Sequence, residues 1–368
     1  MKTAEDILNA KLESGKAQTA AILARIQNEV PQDRLVKANA LRFAADHHSD
    51  AAIIPELVMQ GGKTTEPLTR HALSQACARV GFPSAYAAEV MEEKAEVGRV
   101  VVAEALSTLW QHEPDNRKVL VRSVNGRAHG LLSDAYRRLD GRPGVDAFCG
   151  AAMKLGAVPI EGVITETRIA IKAVLPRIFT LGNTVRDPHG SRFLDKIVIG
   201  AVLRNSDFGA GRYSMALYIL RVLCLNGMIG DMLFAQTHVG ARLDEADFFS
   251  DRTHKLDAAT MVSATRDYVN AFLSPDGIEK TVGVLQAAAS TSLDLEKEIN
   301  GVLKKAMTVD ERKSLTAALQ SVNEEEMPLG PPTPWRMANA ISWVAAHTED
   351  ADRTLDLQRL AGNYLKAA

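Results

Sequence analysis

Near Arg117 the chain stops reading as helix and starts reading as sheet, and after residue 230 it changes back. Lys118-Val119-Leu120-Val121-Arg122-Ser123-Val124 is a short β-branched run. The Asn125-Gly126 that follows is the pair favoured in a type I′ hairpin turn, where both central residues need positive φ. A return strand through Gly130-Leu131-Leu132 is expected. Residues 163–172 and 196–205 read as two further strands. Side chains alternate along a strand, which puts Glu166, Arg168 and Lys172 on one face of the first, expected to be wet, and Val163, Ile169 and Ile171 on the other. The second is more continuously apolar, as in a buried strand, with Arg204 at its emerging end. Residues 144–155 read as a helix, and residues 213–225 as a buried helix capped by Asn226-Gly227.

The flanks have helical periodicity. Residues 4–111 are rich in Ala, Leu, Glu and Lys, punctuated by Pro31, Pro55, Gly61-Gly62, Pro67 and Gly81-Phe82-Pro83, with Ser84 able to start a helix. Beyond the centre, residues 260–273 and 278–303 are expected as long helices. Thr308-Val309-Asp310-Glu311 has the form of a capping box, and Thr333-Pro334 supplies a cap and a first-turn proline. The expected fold is therefore α+β, a central mixed or antiparallel sheet module with helical N- and C-terminal regions. Its units are residues 1–116 (helical), 117–230 (basic α+β core), 231–327 (helical) and 328–368 (linker and terminal helices).

Charge is segregated along the same boundaries. Residues 117–221 hold 17 Lys and Arg against 8 Asp and Glu, within a chain whose net charge is only −2. The acidic excess lies in the two flanks. Gathered on one surface, such a basic segment is an electrostatic footprint for a polyanion; spread over opposite faces, it pairs with the acidic flanks instead. No run approaches the roughly 20 apolar residues needed to cross a bilayer, and the start lacks the apolar stretch of a secretory signal, so no membrane partner and a cytoplasmic location are expected. Cys77, Cys149 and Cys224 are too few and too scattered for a disulfide framework or a cysteine zinc site.

Several strings resemble a family of phage-, prophage- and plasmid-borne proteins known as domain of unknown function 932. These are Gly81-Phe82-Pro83, Leu132-Ser133-Asp134-Ala135-Tyr136, Arg204-Asn205-Ser206-Asp207-Phe208-Gly209, Arg221-Val222-Leu223-Cys224-Leu225-Asn226-Gly227-Met228, Pro334-Trp335-Arg336-Met337-Ala338-Asn339-Ala340-Ile341 and Leu360-Ala361-Gly362-Asn363. The resemblance implies a mobile-element context and no particular reaction. The family often has a basic residue where Ala135 stands here.

No catalytic set, metal site or cofactor site emerges. Gly61-Gly62-Lys63-Thr64-Thr65 lacks the earlier glycine of a phosphate loop, Leu57 standing in that place. In Asp46-His47-His48-Ser49-Asp50 the helical i, i+4 pair is two aspartates without a partner histidine. His189 and His238 are isolated, and Asp134, Asp207 and His189 have no spacing that defines an active site. The sharpest constellation is Ser133, Asp134 and Tyr136 beside Arg137 and Arg138. It closes a turn by side-chain hydrogen bonds, or else its hydroxyls, ring and cations contact phosphates and bases. Asn205, Ser206, Gly209, Gly211 and Arg212 form a second such loop, to which a helix starting at Tyr213 would add N-terminal donors.

The expected function is nucleic-acid binding, single-stranded DNA first, with annealing in recombination as the specific form and a homo-oligomer as the working state. The contact residues are expected to be Ser133, Tyr136, Arg137, Arg138, Arg168, Lys172, Arg204, Asn205 and Arg212. The alternative is a non-enzymatic partner-binding or self-assembling structural protein, whose basic centre meets acidic surfaces.

Overall fold

The computed structural model describes residues 3–45, 55–59, 65–186, 192–222, 225–236, 251–320 and 331–365. The first helix, α1 (Ala4–Asn28), opens with a reciprocal cap between Thr3 and Asp6. The strand β1 (Gln32–Lys37) follows. Next come β2 (Leu41–Ala45), β3 (Pro55–Met59) and β4 (Thr65–Pro67), an antiparallel sheet in that order. Three helices, α2 (Arg70–Arg79), α3 (Ser84–Glu93) and α4 (Ala95–Gln111), pack on it around Phe43, Leu68, Leu106 and Trp110.

Residues 1–116, expected as helices alone, thus contain four short strands. Pro55 makes a poor interior strand residue, yet it stands at the first position of β3, where proline is tolerated.

The hairpin at Asn125-Gly126 forms as its sequence predicts. β5 (Lys118–Val124) and β6 (Arg127–Ser133) are joined by Asn125 at φ 51° and Gly126 at φ 75°, and β1 adds to β5 on the other edge. After α5 (Gly141–Lys154), five strands run as an antiparallel meander, β7 (Val158–Ile164), β8 (Ile169–Arg186), β9 (Arg192–Asn205), β10 (Tyr213–Arg221) and β11 (Gly227–Gln236), each paired with its neighbour in sequence.

Two expectations for this region fail for local reasons. Residues 163–172 are two strand ends joined by a turn: the Thr165 hydroxyl accepts hydrogen bonds from the N–H groups of Thr167 and Arg168 at 3.2 and 2.9 Å. Residues 213–221 form a strand, where a helix over residues 213–225 was expected. Every residue of β10 is buried, and a continuous apolar run has no period to tell the two apart; pairing with β9 and β11 on either side decides it. Asn226-Gly227 therefore leads into β11, and no helix starts at Tyr213; the helix N-terminus beside the loop at residues 205–212 is that of α5, whose Gly141 N–H meets Asp207.

The chain turns helical only after Gln236, so the segment expected as helical from residue 231 begins in β11. The helices are α6 (Asp251–Phe272), α7 (Pro275–Ser290), α8 (Leu295–Asn300), α9 (Val302–Ala306), α10 (Val309–Gln320), α11 (Pro334–Ala346) and α12 (Ala351–Asn363). The single helix expected over 278–303 is broken, because Asp294 caps a new start by accepting from Lys297 N–H. The boxes at Thr308 with Glu311, and at Thr333 with Pro334, cap α10 and α11 as predicted. Among the described residues, no helix is long and apolar enough to cross a membrane.

Over much of its described length the five-stranded sheet is covered on both faces. Ile171, Ile197, Ile199, Leu203, Met215 and Ile219 pack with residues of α5, α6, α7 and α11, such as Phe148, Met261, Leu285 and Ile341. On the opposite face Ala170, Val174, Val202, Ala216 and Tyr218 meet Leu8 and Leu12 of α1 and Leu355 of α12. Two glycines allow this close seating. A Cβ at Gly15 would lie 2.2 Å from the Ile160 carbonyl oxygen, and one at Gly362 1.9 Å from that of Ile229. Gly362→Val is therefore expected to lift α12 off β11 and to cost about 1–3 kcal/mol, read as a lower urea midpoint. An unchanged midpoint would show that α12 is not seated on the sheet.

Candidate nucleic-acid interface

The two loops singled out in the sequence do meet, and they meet as a joint. Tyr136 is buried, its N–H bonds to the Ser133 carbonyl at 3.1 Å, and its phenol donates to the Ser206 carbonyl at 3.0 Å. The Asn205 amide donates to the Leu139 carbonyl at 2.9 Å and to Asp207 Oδ1 at 2.5 Å, which also accepts from Gly141 N–H at 2.8 Å. At the centre stands Arg122, 1% exposed, donating to the Asp207 carbonyl at 2.8 Å, to Asp33 at 2.7 Å and to Asp140. Burial alone would lower the pKa of Arg122, but Asp140 and Asp33 hold it above its ordinary value. Ser133 is half-buried at the edge of this joint, while Arg212 is exposed.

Most of the remaining nominated cations are paired with carboxylates. Arg137 pairs with Asp257 of α6, and Arg138 with Asp33 at 3.4 Å. Arg168 reaches Asp356 at 3.0 Å and Asp352 at 3.7 Å, both on α12. Lys172, placed by the sequence on a wet face, is 1% exposed beneath α12, bonded to Glu161 and to Gln358 at 3.0 Å, with Tyr218 beside it. Burial opposes ionisation of Glu161, and Lys172 overrides it, holding that carboxyl below its usual range. Much of the central positive charge is therefore matched within the chain by acidic side chains from both flanks. Arg204, unlike the nominated cations above, has a buried Nε without a hydrogen-bond partner, a feature it shares with Arg34, Arg127 and Arg312 elsewhere in the chain.

A cleft opens beside the joint, with an internal volume of about 70 Å³. The end of α1 contributes Arg25 and Glu29, the start of α5 contributes Asp140 and Arg142, and the turn between β7 and β8 contributes Thr165, Thr167 and Arg168. His129 of β6 and Phe208 line its wall, their rings stacked at 4.8 Å with a 31° tilt. Three guanidinium groups from separate elements thus surround an aromatic pair. Arg25 also pairs with Glu29 at 2.8 Å, and Arg142 is exposed.

Two titratable groups in the cleft are displaced from their ordinary values. Burial lowers His129, against the opposing pull of the Glu166 backbone and carboxylate, so the ring is neutral at neutral pH. Its Nδ1 is buried without a hydrogen-bond partner. Burial pushes the Asp207 carboxyl up to about 7, with Arg122 opposing and Asp140 reinforcing the shift. Arg25, Arg142, His129 and Phe208 were not singled out from the sequence. The signal for Arg142 was Asp140-Gly141-Arg142-Pro143, a helix start that sets its first turn beside the joint. His129 and Phe208 carry no local signal, because only the fold stacks them.

Cys77 and Cys149 are buried, and desolvation raises both thiols to about 11, which leaves them unreactive at neutral pH. Among the described residues, no cluster of His, Cys, Asp and Glu has the makings of a metal site. Residues 46–50 and 61–64, with Cys224, His189 and His238, lie outside the described residues. No family model matches the chain, and neither a curated protein nor a solved structure matches it.

Proposed function

We propose that this protein binds single-stranded nucleic acid, with the strand's phosphates drawn to Arg25, Arg142 and Arg168 at the cleft and a base stacking at the His129 and Phe208 wall. The observation that carries this reading is the meeting of three cations and an aromatic pair in one opening. Cationic grooves with aromatic side chains suit single strands, because every base has a stacking face and every nucleotide a phosphate. A volume of about 70 Å³ takes a phosphate rather than a whole nucleoside, so bases would lie along the rim. Helices cover both faces of the sheet over the buried stretches of β7 to β10, which moves the contact from those strands to the loops at their ends. Resemblance to the family of unknown function 932 adds a mobile-element setting in the cytoplasm, where annealing of complementary strands is the specific activity we assign. A homo-oligomer is part of the same proposal. Exposed Val97, Val101 and Leu109 on α4 give it an apolar surface.

Fluorescence anisotropy of a labelled single-stranded oligonucleotide across a salt series tests the reading. Each neutralised phosphate contributes about −0.7 to the log–log slope, so three contacts predict about −2. Arg142→Ala, at an exposed position, is expected to weaken binding and flatten the slope by about 0.7. Absence of binding at low salt, or an Arg142→Ala protein that binds with the wild-type slope, defeats the assignment.

A further inference from the structure

An open sheet edge is a template for a further strand, and the edges at β2 and β6 are closed by helices. At β2, the Ser107 hydroxyl of α4 accepts from Phe43 N–H at 2.8 Å and donates to its carbonyl at 3.0 Å. At β6, Gln75 of α2 accepts from Leu131 N–H at 2.8 Å, and Thr69 N–H donates to the Ala128 carbonyl at 3.0 Å. β1 is different. It is the outer strand of its sheet, paired with β5 on one side, and its other edge meets no hydrogen-bond partner among the described residues.

The ladder identifies the groups that face out. Ala38 N–H bonds to the Arg117 carbonyl at 2.9 Å, and Leu131 N–H turns away from β5 toward Gln75. Residues of an antiparallel strand alternate between bonding one neighbour and facing the other side. Arg34 and Val36 therefore bond across to Val121 and Val119, while Asp33, Leu35 and Lys37 turn their N–H and C=O groups outward. The side chains of these three share one face of the strand. Leu35 is 44% exposed, and Lys37 is exposed beside Lys118 of β5.

We propose that β1 pairs with β1 of a second copy of this chain, antiparallel about a two-fold axis at Leu35. That register sets each Leu35 against its counterpart, and Asp33 against Lys37 of the second copy. Among two-fold registers it alone uses all three outward residues of both strands, for about six main-chain hydrogen bonds. An axis at Asp33 or Lys37 sets like charges face to face. An axis at Arg34 brings in Pro31, which lacks an N–H, and one at Val36 brings in Asn39, which lies in the 3₁₀ turn after β1. With Leu35 on the axis, the two exposed leucines cover each other, and Lys37 gains a carboxylate where its own sheet offers Lys118. Asp33, held by Arg122 at 2.7 Å and Arg138 at 3.4 Å, is fixed in place to receive it. Two three-stranded sheets then join edge to edge. Val30 and Pro31, just before β1, line the cleft, so the two clefts stand at opposite ends of the paired strands. The inference supplies an interface for the homo-oligomer and does not rest on nucleic-acid binding.

Sedimentation velocity of the full chain over a concentration series reads the pairing. Wild type is expected to dimerise. Leu35→Pro removes an outward N–H and no bond to β5, and is expected to weaken dimerisation about tenfold. Lys37→Glu, at an exposed position, sets two carboxylates together and is expected to weaken it as well, most at low salt. Disulfide formation reads the register, because residues in a hydrogen-bonded pair lie about 5.5 Å apart at Cα, within disulfide reach. On oxidation with diamide, Leu35→Cys is expected to give a covalent dimer, whereas Gln32→Cys, exposed but remote from its counterpart, is not. A monomeric wild type overturns the inference. So does a dimer that survives Leu35→Pro and Lys37→Glu but is lost on Val101→Glu, which would assign the contact to α4. Oligonucleotide anisotropy on the same proteins separates the two readings. A β1 dimer that binds no strand keeps the interface and removes nucleic-acid binding, while a monomer that binds the strand does the reverse.

Discussion

Asp195→Ala is expected to lower the free energy of unfolding by about 3–5 kcal/mol, the largest loss from any single side-chain truncation considered for this chain. Asp195 is fully buried on β9. It accepts from Arg221 Nε at 2.8 and 3.0 Å and from Trp335 Nε1 at 2.8 Å. These contacts tie β9, β10 and α11 together through one carboxylate. Removing it deprives the Arg221 guanidinium, 2% exposed, of the Asp195 carboxylate, and breaking one side of a buried ion pair costs more than the intact pair contributes. Native stabilities are about 5–15 kcal/mol, so the loss is a large fraction of the total. Asp195→Asn keeps an acceptor for the tryptophan and is expected to fall between the two. Urea unfolding measures both variants, and a loss below about 1 kcal/mol for Asp195→Ala would contradict a role for the pair in holding the sheet to its C-terminal helices.

The second large effect depends on pH. Asp207 has a folded-state pKa of about 7, raised from an ordinary value of 3.8 chiefly by burial. A raised pKa means that the folded protein keeps a proton which the unfolded chain releases. The contribution is fully present below pH 3.8 and is lost as pH rises through 7. At about 1.4 kcal/mol per pH unit, the loss across that window is on the order of 4 kcal/mol. Asp207→Asn retains an oxygen for the Gly141 N–H and never ionises. Its stability relative to wild type should therefore rise between pH 4 and pH 7, measured from urea midpoints in matched buffers. A constant difference across that range would mean that Asp207 is ionised throughout, held so by Arg122.

What the sequence made legible was whatever local chemistry decides. Asn125-Gly126 has one favoured geometry, and Thr308 with Glu311 is a cap on any helix that starts there, so both formed as read. The antiparallel, α+β character followed from the same short-range signals. Residues 213–221 were illegible because a fully buried strand has no alternation, and its partners, β9 and β11, are decided by tertiary pairing. The turn at Thr165 was hidden inside an alternating pattern that continued across it. Charge was the least legible feature. The excess of Lys and Arg over residues 117–221 is real, but Asp33, Asp257, Asp352 and Asp356 lie far away in sequence and adjacent in space. Counting charges along the chain cannot register that compensation. The cleft shows the converse, since Arg25, Arg142, Arg168, His129 and Phe208 come from five places that only the fold brings together.

Hydrogen–deuterium exchange with and without a single-stranded oligonucleotide tests the central claim most directly, because it reports where the strand lies as well as whether it binds. Slower exchange is expected in peptides covering the end of α1, residues 140–143 and the turn at residues 164–169, with the β9 and β10 interior unchanged because it is already protected. Protection confined to other surfaces, or none at oligonucleotide concentrations that saturate the anisotropy signal, would contradict it.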